Sequence, residues 1–367
     1  MIAIIGGGPI GCFLGALLAK GRLDVCIYEE HGVIGQPVQC TGIVTGKIRE
    51  IIDVKDDFIV NKLDKAKVNS LNNSVDLELS EELVLDRQGF DQYMAKKAIN
   101  NGAKIALNHK FLGVEEDKIL FSNEDSKIIR VKADKIIGAD GPLSAVAKSA
   151  DMFADRKFYT GIQARVKGRF DNKGYETYLG NICPGFFGWV VPESNEVARI
   201  GVASRSNAIE YFNKFLELKG IKKEDIIDKQ GGLIPIYDKK TEVQKGNVFL
   251  VGDAAGHVKA TTGGGLVPGL RAAEILADCI INGKNYRKEL KKLNREMWIH
   301  LKTRQMLNNF NDKDYDGLVH MINNGKVKEA LQKHDRDSPF KILRKVVFAE
   351  PKLLGFIRKL NLFSPII

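Results

Sequence analysis

Cysteine is scarce in this 367-residue chain, which has only five, at positions 12, 26, 40, 183 and 279. The number is odd and no C-x-x-C pair occurs, so neither a disulfide scaffold nor a structural zinc site is expected. H-x-x-x-H and P-loop patterns are missing too, so no metal and no nucleoside-triphosphate chemistry is predicted. A reducing, cytoplasmic compartment fits this composition best.

Long uninterrupted hydrophobic segments are also missing. The first nineteen residues carry no charged side chain, but a glycine cluster and Pro9 interrupt them. A strand, a tight turn and a helix explain this stretch better than a signal peptide or a membrane span. No internal repeat or nucleic-acid-binding motif occurs, so most of the net charge of +10 is assigned to a solvated lysine-rich surface and no nucleic-acid partner is expected.

The N-terminal segment has the pattern of a βαβ unit. Residues 2–5 predict a buried parallel strand, residues 11–20 a helix and residues 24–28 a second strand. The turn Gly6-Gly7-Gly8-Pro9-Ile10-Gly11 is a G-x-G-x-x-G motif. In such a motif Gly6 permits the turn, Gly8 admits a pyrophosphate and Gly11 allows close packing. Glu29, at the end of the second strand, is placed to bind a ribose.

Two later turns complete a set of three fingerprints. Gly252-Asp253-Ala254-Ala255 follows the strand 248–251, and Asp140-Gly141 follows the strand 135–138. In this order the three motifs resemble those of glutathione-reductase-type FAD proteins, in the aromatic-hydroxylase branch. The resemblance implies that Asp253 holds the ribityl chain of FAD. The turn 261–266 opens a helix, and the resemblance implies that Gly265 and Leu266 contact the flavin.

Three further segments resemble the geranylgeranyl reductase family. Residues 35–42, GQPVQCTG, are similar to its P-x-x-C-G region, residues 85–91 to its Arg-x-x-Phe-Asp segment, and residues 185–192 to its Tyr-x-Trp-x-Phe-Pro motif. The resemblance implies flavin contacts from Cys40, Thr41, Gly42 and Arg87. It implies that Phe187 and Trp189 wall the substrate pocket. For Cys40, a catalytic role in proton delivery and a role in packing stay open.

The chain departs from the family pattern near the expected flavin. Phe187 replaces a tyrosine, Val191 replaces a phenylalanine, and Lys259-Ala260 stands where the family has Asn-Pro. A solvated Lys259 is expected rather than a catalytic one. These departures leave the FAD prediction intact and leave the exact substrate open.

The predicted fold class is α/β, with a Rossmann-type FAD-binding domain, an inserted β-sheet substrate domain and a helical C-terminus. The FAD-binding domain is predicted at 1–50, 84–150 and 243–285, the sheet domain at 51–83 and 151–242, and the helical region at 286–367. By resemblance, the expected function is saturation of geranylgeranyl-type double bonds in archaeal-type lipid precursors by hydride transfer from reduced FAD. The alternatives are an FAD-dependent monooxygenase or hydroxylase on the same fold, and a non-catalytic prenyl-lipid escort.

The expected partners are an isoprenoid lipid and an external electron donor. No second G-x-G-x-x-G occurs, so a ferredoxin, a reduced deazaflavin or NAD(P)H would reach the flavin transiently. Residues 339–367 hold six Lys or Arg and one acid. Two amphipathic helices packed on the protein body are expected there. The alternative is a peripheral surface that meets the anionic lipid of the inner face of the cell membrane.

Overall fold

The computed structural model describes residues 1–332, 344–346, 348–350 and 355. The predicted helices of 339–367 therefore lie almost wholly outside the described residues. The strands are β1 (Ile2–Ile5), β2 (Val25–Tyr28), β3 (Ile43–Thr45), β4 (Ile59–Asn69), β5 (Ser74–Leu85), β6 (Lys104–Ala106), β7 (Lys110–Glu115), β8 (Lys118–Ser122), β9 (Ile128–Lys132), β10 (Lys135–Gly138), β11 (Phe158–Lys167), β12 (Gly174–Tyr178), β13 (Phe187–Pro192), β14 (Val197–Ser204), β15 (Ile226–Pro235), β16 (Gln244–Lys245) and β17 (Val248–Leu250).

The helices alternate with these strands in the first half of the chain and predominate after residue 265. They are α1 (Pro9–Lys20), α2 (Arg87–Asn100), α3 (Ala145–Ser149), α4 (Ala208–Leu218), α5 (Leu266–Asn282), α6 (Tyr286–Glu289), α7 (Lys291–Leu307), α8 (Asp312–Ile322) and α9 (Gly325–Gln332). No helix in the described part of the chain is long and apolar enough to cross a membrane.

The chain divides into two compact units, each built from three separate segments. The first unit comprises Met1–Val38, Asp86–Lys157 and Ile234–Trp298. The second comprises Gln39–Leu85, Phe158–Leu233 and the described residues from Ile299 onward. The boundary between the units falls within α7, inside the segment 286–367 for which a helical region is predicted; that division into domains stays a prediction. The functional labels of the segments, an FAD domain and a substrate domain, stay predictions.

The first unit contains a six-stranded sheet in the order β16-β17-β10-β1-β2-β6. Five strands are parallel, and β16 is an antiparallel edge strand. The strands β1 and β2 are buried at every residue, as expected for a parallel sheet covered on both faces. In such a sheet ligands bind outside the carboxyl ends of the strands. Gly6, Glu29 and Val251 directly follow those ends of β1, β2 and β17.

The second unit contains an eight-stranded sheet in the order β15-β11-β14-β13-β12-β4-β5-β3. The neighbouring strands β11, β14 and β13 are antiparallel, and β13 and β14 are mostly buried. Phe212 and Phe215 of α4 pack on this sheet, in a cluster with Val166, Ile200 and Val202. The strand β13 carries the predicted substrate residues, so the buried centre of the sheet holds them in place.

Candidate active site

The glycines of the turn after β1 have two different environments: two are in close contact with the backbone, and one faces open space. Gly6 has φ +105°, and a Cβ there would lie 2.4 Å from the Ala139 oxygen. A Cβ on Gly11 would lie 2.1 Å from the Gly6 oxygen. Gly8 has φ −67°, and no atom of the described residues lies within 4 Å of its Cβ position. Gly6 and Gly11 are therefore required by the close approach of the backbone, whereas Gly8 borders free space at the N-terminus of α1.

The Glu29 side chain is hydrogen-bonded to the backbone of this turn. Its Oε2 accepts a hydrogen bond from Gly7 N at 2.6 Å, and its Oε1 lies 2.6 Å from Nδ1 of His31. The backbone N–H of His31 also donates to Oε1. A carboxylate has about four lone-pair positions, so one remains for a hydroxyl group such as that of a ribose. Sequence reasoning missed His31, because a hydrogen bond between two polar neighbours leaves no periodic pattern.

Asp253 lies three residues beyond the end of β17 and is partly buried. Burial raises its pKa to about 6, and the charge of Arg87 acts in the opposite direction. Arg87 itself forms a two-point ion pair with Asp91, at 3.1 and 3.0 Å. A Cβ on Gly265 would lie 2.8 Å from Oδ1 of Asp253. The structure therefore brings Asp253 beside the turn that ends at Gly265 and Leu266.

One apolar side chain joins the Asp253 turn to the glycine turn. Ile10, in the first turn of α1, lies against Gly252 and Gly269, where added Cβ atoms would come within 3.2 and 2.8 Å of it. The first turns of α1 and α5 are thereby packed together. The N-termini of both helices leave backbone N–H groups and a partial positive charge for an anionic ligand.

Lys259 differs from its expectation. The prediction that this side chain is solvated is wrong, because Lys259 is only 5% exposed. Its Cε and Nζ atoms lie 3.1 and 3.5 Å from the Cβ position of Gly264. The backbone of residue 259 also closes the loop, accepting from Gly263 N and donating to the Gly264 oxygen. A buried cation thus lies beside the N-terminus of α5.

Cys40, Thr41 and Gly42 belong to the second unit. Cys40 is half-buried, whereas the other four cysteines are buried. Its Sγ accepts a hydrogen bond from Gly42 N at 3.3 Å. Gly42 has φ +76°, and a Cβ there would lie 2.6 Å from both Arg199 and the Leu85 oxygen. The Cys40–Gly42 loop is therefore tightly packed on its own unit, and Cys40 is its half-buried cysteine.

An aromatic row follows β13 in the same unit. Phe186 stacks on Phe187 with ring centroids 4.4 Å apart, and Phe187 meets Trp189 edge-on at 6.0 Å. Phe187 is partly exposed, and Trp189 is 8% exposed. The buried guanidinium of Arg304 lies 4.6 Å from the centroid of the Phe186 ring, and burial lowers the pKa of Arg304. Sequence reasoning missed Arg304, because its place in α7 is more than a hundred residues away.

The residues of the first unit fit an FAD molecule. The space beside Gly8 would be filled by any larger side chain, and a pyrophosphate needs this space to approach the backbone. The Glu29 carboxylate stands at the same turn, and Asp253 is a partly buried acid beyond the carboxyl end of β17 in the same sheet. These positions are those of a dinucleotide site in an open parallel sheet.

Comparison with known proteins agrees with this geometry. A family model described as FAD binding domain matches residues 1–161, and one described as Lycopene cyclase protein matches residues 196–312. The chain is 26% identical to digeranylgeranylglycerophospholipid reductase 3 of Methanosphaera stadtmanae over 98% of both chains. It is 28% identical to digeranylgeranylglycerophospholipid reductase of Methanococcus vannielii, over 98% of this chain and 97% of the relative.

Solved structures share the fold. A geranylgeranyl bacteriochlorophyll reductase-like protein from Thermoplasma acidophilum superposes with a TM-score of 0.83 and 23% identity, over 98% of both chains. A flavin-dependent brominase superposes with a TM-score of 0.69 and 15% identity, over 98% of this chain and 99% of the other. The resemblance to the geranylgeranyl reductase family is thereby confirmed, and the chain is an FAD-dependent oxidoreductase.

Proposed function

We propose that this enzyme saturates carbon–carbon double bonds of geranylgeranyl chains in archaeal-type membrane lipid precursors. The observation that carries the proposal is similarity to digeranylgeranylglycerophospholipid reductases over 98% of this chain, together with an intact dinucleotide turn. When bound and reduced, FAD supplies the hydride. A proton is needed for the second carbon of each double bond, so each reduction adds one pair of hydrogens.

The cofactor would be held mainly by the first unit. The first-turn N–H groups of α1 beside Gly8 would bind the pyrophosphate, Glu29 the adenosine ribose and Asp253 the ribityl chain. Gly6 and Gly11 shape that turn, and Arg87 supports the site through its charge on Asp253. Gly265 and Leu266 would bring the N-terminus of α5 to the flavin, where its partial positive charge favours an electron-rich ring.

The second unit would hold the lipid and exclude water. Phe187 and Trp189 offer apolar ring surface against which an isoprenoid chain can be buried. We assign Thr41 and Gly42 to the loop that covers the flavin. Cys40 is the half-buried cysteine of that loop, and it either delivers the proton or shapes the pocket.

The function is tested by anaerobic incubation of the chemically reduced holoenzyme with geranylgeranyl lipids, followed by mass spectrometry. We expect products heavier by one or more pairs of hydrogens. An oxygenated product formed only when air is admitted would favour the hydroxylase alternative. A colourless protein that binds the lipid without changing it would favour the escort alternative. Both results would contradict the proposal.

The role of Cys40 is separated by a thiol reagent. Because the other four cysteines are buried, a reagent in limiting amount should modify Cys40 first. If the modified enzyme still reduces the lipid at the unmodified rate, the proton-delivery role is excluded and the packing role remains. A Cys40→Ser variant keeps a side chain of similar size but replaces the thiol with a much weaker acid. Lost reduction in this variant indicates loss of chemistry, whereas retained reduction indicates that the reagent acts by steric blocking.

We propose an external electron donor, because the sequence contains no second G-x-G-x-x-G turn. Parallel anaerobic assays with a ferredoxin, a reduced deazaflavin and NAD(P)H should show rapid bleaching of the flavin with one of them.

We also propose a cytoplasmic protein that reaches lipid through residues 339–367 at the membrane surface. Sedimentation with anionic liposomes, fading at high salt and lost on truncation before Pro339, would support this; equal sedimentation of a folded truncated protein would exclude it.

A further inference from the structure

One buried oxygen of the second unit receives hydrogen bonds from both predicted substrate and loop residues. Oε1 of Gln163 accepts the Thr41 hydroxyl at 2.8 Å and the indole N–H of Trp189 at 3.3 Å. Gln163 is 4% exposed, so these bonds are shielded from water. Gln163 therefore joins the Cys40–Gly42 loop to the aromatic row of β13.

A glycine in the strand between them makes this junction possible. Gln163 of β11 and Trp189 of β13 both lie opposite Gly201 of β14. A Cβ on Gly201 would lie 2.5 Å from Cζ2 of Trp189 and 2.6 Å from Cβ of Gln163. Because Gly201 has no side chain, the indole and the amide meet across the central strand.

The amide nitrogen of Gln163 continues the network in the other direction. It donates to Oε1 of Gln230 at 2.8 Å, and Gln230 reaches Oδ1 of Asp228 at 3.5 Å. The other oxygen of Asp228 accepts from Arg165 at 3.1 Å. The network thus passes from neutral amides on β11 and β15 to an ion pair.

From that ion pair the network returns to the loop where it began. Arg165 and Arg199 both donate to Glu193, with distances of 2.8 and 2.6 Å for the closest contacts. Burial alone would raise the pKa of Glu193, but the hydrogen bond from Arg165 and the charge of Arg199 lower it. Arg199 also donates to the main-chain oxygens of Thr41 and Leu85. The hydrogen bonds form a closed ring that leaves Thr41 by its side chain and returns to its backbone.

We propose that Gln163 is a positioning residue that couples Trp189 to the Cys40–Gly42 loop, with Arg199 fixing the main chain of that loop. A displacement of the indole changes the hydrogen bond that Oε1 of Gln163 accepts from the Thr41 hydroxyl. Thr41 directly follows Cys40 in the chain, so the position of Cys40 changes with it. Occupancy of the aromatic row thereby sets the accessibility of the thiol. The importance of these segments for catalysis rests on the proposed function, whereas the coupling itself can be measured without lipid.

The first experiment measures the rate at which a thiol reagent modifies Cys40 in the holoenzyme. Gln163→Leu removes the shared acceptor, so the loop is released and the rate should rise about threefold to tenfold, as expected for one member of a hydrogen-bond network. Gln163→Glu keeps an acceptor for both donors but loses the donor to Gln230, so its rate should fall between those of the unchanged protein and Gln163→Leu. Gln332→Leu in α9 makes the same replacement away from the ring and should leave the rate unchanged.

The second experiment tests coupling directly with a double-mutant cycle. Trp189→Phe removes the indole N–H and should change the Cys40 rate about threefold when Gln163 is present. The same substitution should have no further effect in Gln163→Leu. Equal effects of Trp189→Phe in both backgrounds, or no effect in either, would overturn the proposal.

If Gln163→Leu does not fold, Thr41→Val replaces it, since that change removes only the hydroxyl donor and keeps the shape of the side chain. Non-additive effects of Thr41→Val and Trp189→Phe on the Cys40 rate would then support the coupling, and additive effects would overturn it.

A spectroscopic signal provides a second readout. The chain has two tryptophans, so in a Trp298→Phe background the fluorescence reports on Trp189. Thr41→Val should shift that emission, and an unchanged spectrum would contradict the shared oxygen.

The outcomes separate this inference from the proposed function. An enzyme that reduces geranylgeranyl lipid but shows additive cycles would refute the coupling alone. A protein with non-additive cycles that leaves the lipid unchanged would refute the proposed reaction alone.

Discussion

Alanine substitutions at two glycines of the same turn should have opposite consequences. At Gly8 the backbone is in a conformation open to any residue, and no described atom lies near the added methyl group. Alanine lowers the entropy of the unfolded chain but is a poorer N-cap than glycine, and each effect is worth at most about 1 kcal/mol. Because the two effects oppose each other, the free energy of unfolding without FAD should change by less than about 1 kcal/mol.

Gly8→Ala should nevertheless impair FAD binding. The methyl group occupies space that the pyrophosphate needs, and such overpacking costs about 1–3 kcal/mol. At about 1.4 kcal/mol per tenfold, the Kd for FAD should rise about 5- to 150-fold. At an FAD concentration of about 100 times the original Kd, the stabilisation by FAD is about 2.7 kcal/mol, and a 100-fold weaker variant would retain only about 0.4 kcal/mol of it.

Gly11→Ala should instead destabilise the protein with and without FAD. Its Cβ would lie 2.1 Å from a backbone oxygen that cannot move aside, so a loss of about 1–3 kcal/mol is expected. Urea unfolding of both variants with and without FAD is the assay. Gly325→Ala is the matched control, since no described atom lies within 4 Å of its Cβ position either. If Gly8→Ala keeps the full stabilisation by FAD, the assignment of this turn to the pyrophosphate is refuted.

Three further substitutions probe the first unit. Burial lowers the pKa of His257 from 6.5 to about 4, so the unfolded chain binds a proton that the folded protein lacks, and stability falls as the pH falls from 6.5 to 4. This loss is about 3 kcal/mol, and His257→Leu should remove it; parallel stability curves for the two proteins across that range would contradict the reasoning. Glu29→Ala should raise the Kd for FAD about tenfold, whereas Glu30→Ala, an exposed neighbour, should not; equal affinities would exclude a Glu29 contact. Lys259→Met should disfavour the reduced flavin about tenfold, which lowers the two-electron potential by about 30 mV, with Lys240→Met as the exposed control. An unchanged potential in Lys259→Met would place that cation away from the flavin.

The local parts of the cofactor site could be predicted from the sequence. The strand, glycine turn and helix of residues 2–20 follow from apolar runs and from glycines at fixed spacing, and β17 with Asp253 follows from the same signals. The presence of Glu29 at a strand end was predictable as well. Its partner His31 was not identified, because a hydrogen bond between two polar neighbours leaves no periodic pattern.

The parts that depend on distant residues could not be predicted. Lys259 is buried because the backbone folds back between residues 259 and 264, and composition around it gives no sign of that. The shared acceptor Gln163 depends on the register of three strands around Gly201. Register is set by pairing across many residues, so such a junction emerges only from the structure.

The most direct test of the account is the stoichiometry of flavin oxidation by lipid. The reduced holoenzyme is mixed anaerobically with a geranylgeranyl lipid, while the flavin absorbance and the mass of the lipid are followed in the same sample. The account predicts that the oxidised flavin spectrum returns and that one double bond is saturated for each FAD oxidised. A flavin that stays reduced with the lipid and is oxidised only by added oxygen would contradict it.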